Sequence, residues 1–358
     1  MTERDRLRSP SVLYLPNEKS PDRLRGQVGG RYAFRDMQRD GLISELRCLS
    51  FWTEYLNEGA ADPHRYLVEQ AAQFKPDIVF WQHPSGFALD RAFIQEFKRA
   101  AGNPILAYHE GDVYDRFYKP LSSSEKALFL ECDVFFSVAL GKGREVFQEL
   151  RDHQHFYYAP HNVDMERFGE APDPDAIGSR YDTVMIGSIA HRLRVFKYPG
   201  SAERIAIAKQ LTKLMGDRYA TFGNHWPAGT NCKGFLNFNE QARTIQSAKM
   251  SVIWENFSDY AFYFSDRLPI SLASGLPHIT SRGPGYGVML GDVPGLFLAN
   301  TVEEAVDIAC YLRSLPKNVI AELGASAREW VLRNLESGVV FRRAFERCAD
   351  VWRATRKE

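Results

Sequence analysis

An α/β protein made of two Rossmann-like domains is what this sequence predicts, and three observations carry the prediction. Short apolar runs alternate with segments of helical period through both halves of the chain, the pattern of right-handed βαβ units and parallel sheets covered on both faces. A stretch rich in Pro, Gly and Asp, residues 169–178, interrupts the alternation and has the composition of an interdomain linker. The length of 358 residues and the apolar share of 44% suit about two domains with real cores.

The first series opens with Val12-Leu-Tyr-Leu15, an apolar strand. Residues 78–81, Ile-Val-Phe-Trp, make a second strand after the Lys75-Pro-Asp turn. Residues 105–108, 134–138 and 156–159 make a third, fourth and fifth. Between them, 90–100 and 143–150 place apolar residues at helical spacing. With a linker over 169–181, residues 1–168 form the first domain and 182–335 the second.

The second series starts with the strand Thr-Val-Met-Ile at 183–186, then a helix at 202–215 and a strand at 219–222. A helix at 239–248, a strand at 250–254, a short helix at 269–274 and strands at 278–280 and 295–298 follow. Helices at 302–314, 319–334 and 339–353 end the chain. The short helix carries Pro269 in its first turn, where the missing N–H would be unpaired in any case. It stops at Gly275, because glycine reaches the left-handed conformation without a side-chain clash. Strand, loop and helix N-terminus in this order form the crevice where an open parallel sheet binds ligands, and a helix N-terminus suits a phosphate.

Composition narrows the function. Lys and Arg total 45, as do Asp and Glu, so no global field selects nucleic acid or anionic membrane. The basic stretches at 23–47 and 342–357 read as solvated helix faces. Five cysteines, Cys48, Cys132, Cys232, Cys310 and Cys348, are scattered and never paired as CxxC. That predicts reduced thiols, a cytoplasmic setting and no zinc framework. No apolar run approaches the roughly 18 residues of a membrane span, and the charged start followed by a short apolar piece does not predict a signal peptide. No Gly-x-Gly-x-x-Gly follows the first strand, which argues against a Rossmann dehydrogenase.

Two motifs occur in order along the chain. Pro160-His-Asn-Val-Asp-Met-Glu-Arg-Phe168 follows the fifth strand, and Leu272-Ala-Ser-Gly-Leu-Pro277 spans the end of the short helix. The first resembles the Pro-x-Asn-x-Val-Asp-x-x-x-Phe segment that closes the N-terminal domain of GT-B glycosyltransferases, shortened by one residue; alone it reads equally as a turn with a packing phenylalanine. The second resembles their donor-site segment, closest to the retaining family-4 and spore-maturation types, and Arg267 falls where the latter carry an arginine. The two acidic positions of that segment hold Phe262 and Ile270 here. The resemblance implies two domains facing a central cleft, with the donor in the second, the acceptor in the first, and the last helix (336–358) crossing back to the first. It implies sugar transfer from a nucleotide-sugar to an acceptor hydroxyl, with retention and without a metal or other cofactor. A surface polysaccharide, a small metabolite or a modified nucleic-acid base are the open acceptor classes.

Candidate residues follow. Gly187-Ser188 ends a strand, so the backbone can approach a diphosphate closely, with Arg192, Arg194 and Lys197 beyond to neutralise the leaving group; a solvent loop with nearby basic residues reads the same. Glu255, Ser265 and Asp266 stand at or after a strand end. Asp266 can take the ribose hydroxyls in place of the missing acid, while Ser265 or Asp266 would equally fill a helix cap. Arg267 is open between a phosphate contact and an ion pair. In the first domain His109 resembles the family's sugar-lining histidine, with Glu110 and Asp112 placed to orient an acceptor; a loop-satisfied histidine is the alternative. Gly234 and Phe235 match the base-packing segment, although core packing is the commoner role for an aromatic. No Asp-x-Asp pair sits at a strand end, and no His/Asp/Glu spacing suggests a metal triad. Two other functions share this architecture, a nucleotide-sugar epimerase and a non-catalytic sugar-nucleotide-binding subunit.

Overall fold

The computed structural model describes residues 9–17, 28–50, 62–84, 86–152, 155–193 and 195–356. Arg194 and the ends of the two basic stretches, Arg23 and Lys357 among them, lie outside the described residues. The chain is α/β and divides into two compact units. One comprises Met1–Ala159 with Ser337–Glu358, the other Pro160–Glu336. The segment from Pro160 to Phe168, assigned from sequence to the first domain, belongs to the second unit. There Val163 N–H donates to Leu335 O (2.9 Å), and Phe168 packs edge-on against Phe238.

The first unit holds a six-stranded, all-parallel sheet of β1 (Val12–Leu15), β2 (Leu46–Cys48), β3 (Ile78–Gln82), β4 (Ile105–Glu110), β5 (Val134–Ser137) and β6 (Phe156–Tyr158). Its order is β2-β1-β3-β4-β5-β6. Alternation along the strands builds two cores. Leu13, Leu15, Val79, Trp81, Leu106, Tyr108 and Phe135 face Leu67, Ile94, Phe97, Phe129 and Phe147 of the helices on one side. Val12, Tyr14, Ile78, Phe80, Ala107 and Phe136 face Phe34, Phe341, Phe345 and Trp352 on the other. That second face is covered by α1 (Gly29–Arg39) and by Ser337–Thr355, the last helix of the chain. Helix α1 starts at paired glycines because a Cβ on Gly30 would collide with the Tyr14 phenol. Arg342 of the last helix and Arg356 just beyond its end pair with Asp40 and Asp77 of the same unit.

The second unit holds a five-stranded, all-parallel sheet of β7 (Thr183–Ile186), β10 (Tyr219–Phe222), β11 (Met250–Ile253), β12 (His278–Ser281) and β13 (Leu296–Ala299), in the order β10-β7-β11-β12-β13. A hairpin of β8 (His191–Arg192) and β9 (Phe196–Lys197) follows β7. Each sheet reverses its strand order beside its first strand, between β1 and β3 and between β7 and β11. At such a switch point the connections leave the sheet on opposite faces, and a crevice opens beyond the carboxyl ends of the strands. That topology locates the residues that follow.

Candidate functional site

In the second unit the chain leaves β7 through Gly187, whose N–H donates to Phe222 O (2.9 Å). Its neighbour at the end of β10, Gly223 (φ 135°), presses against the same backbone. A Cβ on Gly223 would lie 2.7 Å from the Gly187 carbonyl carbon and closer still to its oxygen. The two glycines therefore let two strand ends touch. Ser188 Oγ accepts the Asn224 N–H (2.9 Å) and Trp226 Nε1 donates to Gly187 O (2.8 Å), so side chains fix this loop as well as backbone. Gly223 N–H donates to Gly234 O (2.8 Å). The following Phe235 is 69% exposed, so its ring is available as a stacking surface, and the core-packing alternative does not describe it.

Across the switch point, a buried carboxylate stands two residues beyond β11. Glu255 Oε1 accepts from both the N–H (3.0 Å) and the hydroxyl (2.9 Å) of Ser265. Its other oxygen, Oε2, is buried without a hydrogen-bond partner, and its own N–H donates to Ser281 Oγ (3.1 Å). A buried lone pair without a donor is costly, and such groups call for an explanation in function or strain. Beside it lies Arg204, buried in the helix Ser201–Met215. Its guanidinium donates to Trp254 O and Ser188 O and forms no ion pair with a carboxylate among the described residues. Burial lowers the Arg204 pKa to about 10; Glu255 pulls it back up, and Arg267 pushes it down. Arg204 thus remains a cation at neutral pH, at the ends of both β7 and β11. Sequence reasoning missed it. A charge on the buried stripe formed with Ile207, Ala208, Leu211 and Met215 is the signal that would have found it.

The short helix runs over Arg267–Ala273. Asp266 stands at its N-cap position, but its side chain makes no cap hydrogen bond; it pairs with Arg267 Nη1 at 2.6 Å. Ser265 spends its hydroxyl on Glu255. Neither of these two side chains caps the helix. Ile270 is buried in the core of this unit, and Phe262 adopts a left-handed backbone (φ 61°) with Gly285 beneath its ring. Arg192 and Lys197 sit on the β8–β9 hairpin, Lys197 exposed and opposite His191.

In the first unit, β4 continues two residues past the sequence expectation, to Glu110. Strand alternation then fixes both side chains. His109 is 6% exposed, with its ring against Phe80 and Phe341, so it belongs to the aromatic core. Glu110 is fully buried on the opposite face. It accepts from the Tyr108 hydroxyl and from the Asp112 N–H (2.8 Å), and both its oxygens lie 3.0 Å from Nδ1 of His83. His83 follows β3 directly, with Nε2 at 3.9 Å from Asp112 Oδ2. Lys119 Nζ lies 2.7 Å from that same oxygen. Burial lowers the His83 pKa, but Glu110, Asp112 and Glu125 outweigh it, so the net shift is upward. Burial and then Glu110 raise the Tyr108 and Tyr114 phenols, keeping both as donors.

No protein-family model matches the chain, and a comparison with curated protein sequences finds no relative. Solved structures do match over nearly its whole length. A glycosyltransferase from Rickettsia africae superposes with a TM-score of 0.61 at 12% identity, covering 96% of this chain and 98% of its own. HepE from Anabaena, solved in complex with UDP and glucose, gives 0.58 at 10% identity over 95% and 100%. A sucrose-phosphate synthase from Thermosynechococcus elongatus gives 0.54 at 14% over 82% and 79%. At these identities the likeness is one of fold, two Rossmann-like domains of GT-B type.

Proposed function

We propose that this chain is a glycosyltransferase that moves a sugar from a nucleotide-sugar to an acceptor hydroxyl, with the donor on the second unit and the acceptor on the first. The observation that carries the reading is the switch point of the second sheet. Glycines bring two strand ends into contact there, and a buried arginine and a carboxylate with a bare oxygen stand beside them. Closely approached backbone and a fixed guanidinium suit a diphosphate, and a carboxylate oxygen suits a hydroxyl. HepE, which shares the fold, was solved with UDP and glucose, and this makes a uridine nucleotide the first donor to try.

The chemistry in this reading breaks the bond between the anomeric carbon and the diphosphate oxygen as the acceptor oxygen bonds to that carbon. Charge develops on the departing diphosphate. Arg192 and Lys197 on the hairpin would meet it without a metal, the electrostatic role that such cations fill in group transfer. Asp266, Arg267 and Glu255 are the donor-side polar groups of this proposal, and Gly234 with Phe235 the surface for the base. Retention at the anomeric carbon rests on the likeness of Leu272–Pro277 to the retaining enzymes, and the anomeric configuration of the product tests it.

Titration calorimetry with UDP, GDP, ADP and TDP, with and without EDTA, tests the donor site. Binding of one of them, unchanged by EDTA, is expected; binding of none refutes the reading. Ile270 and Phe262, in place of acids, favour one rival, a non-catalytic nucleotide-sugar-binding subunit. Tight binding without turnover of any nucleotide-sugar would select it, and release of a rearranged sugar without acceptor would select an epimerase.

A further inference from the structure

We propose that the β8–β9 hairpin docks the second unit on an anionic membrane surface, its apolar turn entering the headgroup layer beside its cations. Leu193 and Val195 of the turn are 74% and 72% exposed, and Phe196 of β9 is 47% exposed. Among the described residues only Val288 is a more exposed large apolar side chain than the first two. Single exposed apolar residues are ordinary, but three within four positions form a patch that calls for a partner. Leu193 also takes a left-handed backbone (φ 51°), which glycine or asparagine adopts more readily than leucine. Neither the exposure nor the backbone of this position therefore favours a leucine for the sake of the fold. The turn is fixed in place: Val195 N–H donates to Arg192 O (3.1 Å) and Tyr198 N–H to Ala190 O (3.0 Å). At the base of the hairpin, His191 Nδ1 donates to Ile189 O (3.0 Å), and its ring meets His225 edge-on. A preformed tip loses little conformational freedom when it binds.

Charge selects the partner. From Thr183 to Ala202 the sequence carries three cations and no carboxylate, although the whole chain is balanced. Lys197, next to Phe196, is exposed. Apolar side chains partition into the boundary between headgroups and acyl chains, and Lys and Arg near that surface are drawn to anionic lipid. Among the described residues no helix is long and apolar enough to cross a membrane, so the contact is interfacial. Three side chains offer far less than the roughly 800 Å² that each partner buries in a stable protein complex, whereas a fluid interface accepts a narrow tip. A nucleic acid would use the cations and stack on Phe196, but it would leave Leu193 and Val195 in water. These two residues have no part in the donor site proposed above, and docking needs no nucleotide, so it stands or falls apart from the transferase reading.

The test is co-sedimentation of the full chain with vesicles, at low and at high salt. One set is phosphatidylcholine alone, the other phosphatidylcholine with an equal part of phosphatidylglycerol. The wild type should bind the mixed vesicles about tenfold more strongly than the neutral ones, and salt should weaken that binding. Leu193→Asn combined with Val195→Ser suits the turn backbone and removes its apolar side chains. This double variant should lower the partition coefficient about tenfold or more, with an unchanged melting temperature. Leu193→Phe, which keeps an apolar side chain, should bind as the wild type does. Lys197→Gln should lower binding to the mixed vesicles alone, by about fivefold, and it decides the matter if the double variant fails to fold. Absence of wild-type binding to mixed vesicles at low salt overturns the proposal. Binding that neither the double variant nor Lys197→Gln weakens also overturns it, because the contact then lies elsewhere on the surface. A dimer in light scattering that the double variant dissolves, without vesicle binding, would give the turn to a second copy of the chain. Binding of a single-stranded oligonucleotide in place of vesicles would give it to nucleic acid; either result refutes docking on lipid.

Discussion

His278 should make the second unit acid-sensitive by an amount that the structure sets. It opens β12 and is fully buried, with Nδ1 at 2.8 Å from Ser251 Oγ and Nε2 buried without a partner. A bare lone pair is the cheaper way to bury Nε2, so Nδ1–H donates to Ser251. Protonation would add a charge and an N–H facing no acceptor. Burial accordingly lowers the pKa from 6.5 to about 3. The unfolded chain takes up this proton at a higher pH than the folded chain, so the contribution is complete above pH 6.5 and is lost as pH falls toward 3. Each pH unit inside that window removes up to about 1.4 kcal/mol, so the step from pH 7 to pH 5 should cost about 2 kcal/mol. His278→Asn keeps a polar group for Ser251 and removes the titration. Urea denaturation of both proteins at pH 7 and pH 5, extrapolated linearly, isolates the residue. His83, with its raised pKa, acts in the opposite sense in both proteins and cancels in the difference. The wild type should lose about 2 kcal/mol more than the variant; equal losses would refute the reasoning.

Gly223→Ala forces a methyl into the Gly187 backbone at a φ of 135°. It should lower stability by about 1–3 kcal/mol and abolish nucleoside diphosphate binding, as measured by thermal shift and calorimetry. Asp266→Ala should weaken nucleotide-sugar binding by about 1–3 kcal/mol and leave the free base unaffected; calorimetry with both ligands separates this from general damage to the loop. Arg192→Ala and Lys197→Ala should each raise the barrier to turnover by roughly 2–4 kcal/mol with smaller effects on nucleoside affinity, and unchanged steady-state kinetics would assign both residues to solvent.

The parallel sheets were legible because strands buried on both faces read as continuous apolar runs, as in Ile78–Trp81 within β3 and in β7. The edge strand β2 was not. It has three residues, none of them fully buried, and carries no such run. Helix α1 was hidden by opening glycines whose reason, the approach of Tyr14, is a tertiary one. Among the candidate residues, Gly187 and Glu255 were readable from their place at strand ends. The burial of His109 was not legible, because β4 is longer than its apolar run. Two more residues of β4 carry His109 back into the sheet, where alternation with Ala107 turns it toward Phe341. His83, one residue past a strand that stops at Gln82, escapes that alternation.

In the proposed donor site, Ile270 stands where the resembling enzymes carry an acid, and this changes how charge would balance there. Ile270 packs in a core with Leu268 and Leu272, where an unpaired carboxylate would be heavily penalised. Glu255 and Asp266 are instead buried or half-buried carboxylates of the proposed site, and Arg204 and Arg267 are buried or half-buried cations of it. Asp266 neutralises Arg267 at 2.6 Å, and Glu255 raises the Arg204 pKa by its charge without touching it. These four charges sum to zero, so in the proposed site they would orient a diphosphate but offer it little net field. In the proposed site, net positive charge would come from elsewhere, and exposed Lys197 on the hairpin after β7 is its candidate source. Exposed cations are screened by salt more than buried ones are, so in the proposed arrangement the buried groups would fix geometry and the hairpin would carry the salt-dependent attraction. Specific recognition and charge neutralisation are then tasks of different elements. That division would let the proposed donor site work with its arginine and its glycines although Ile270 of the short helix is a hydrocarbon.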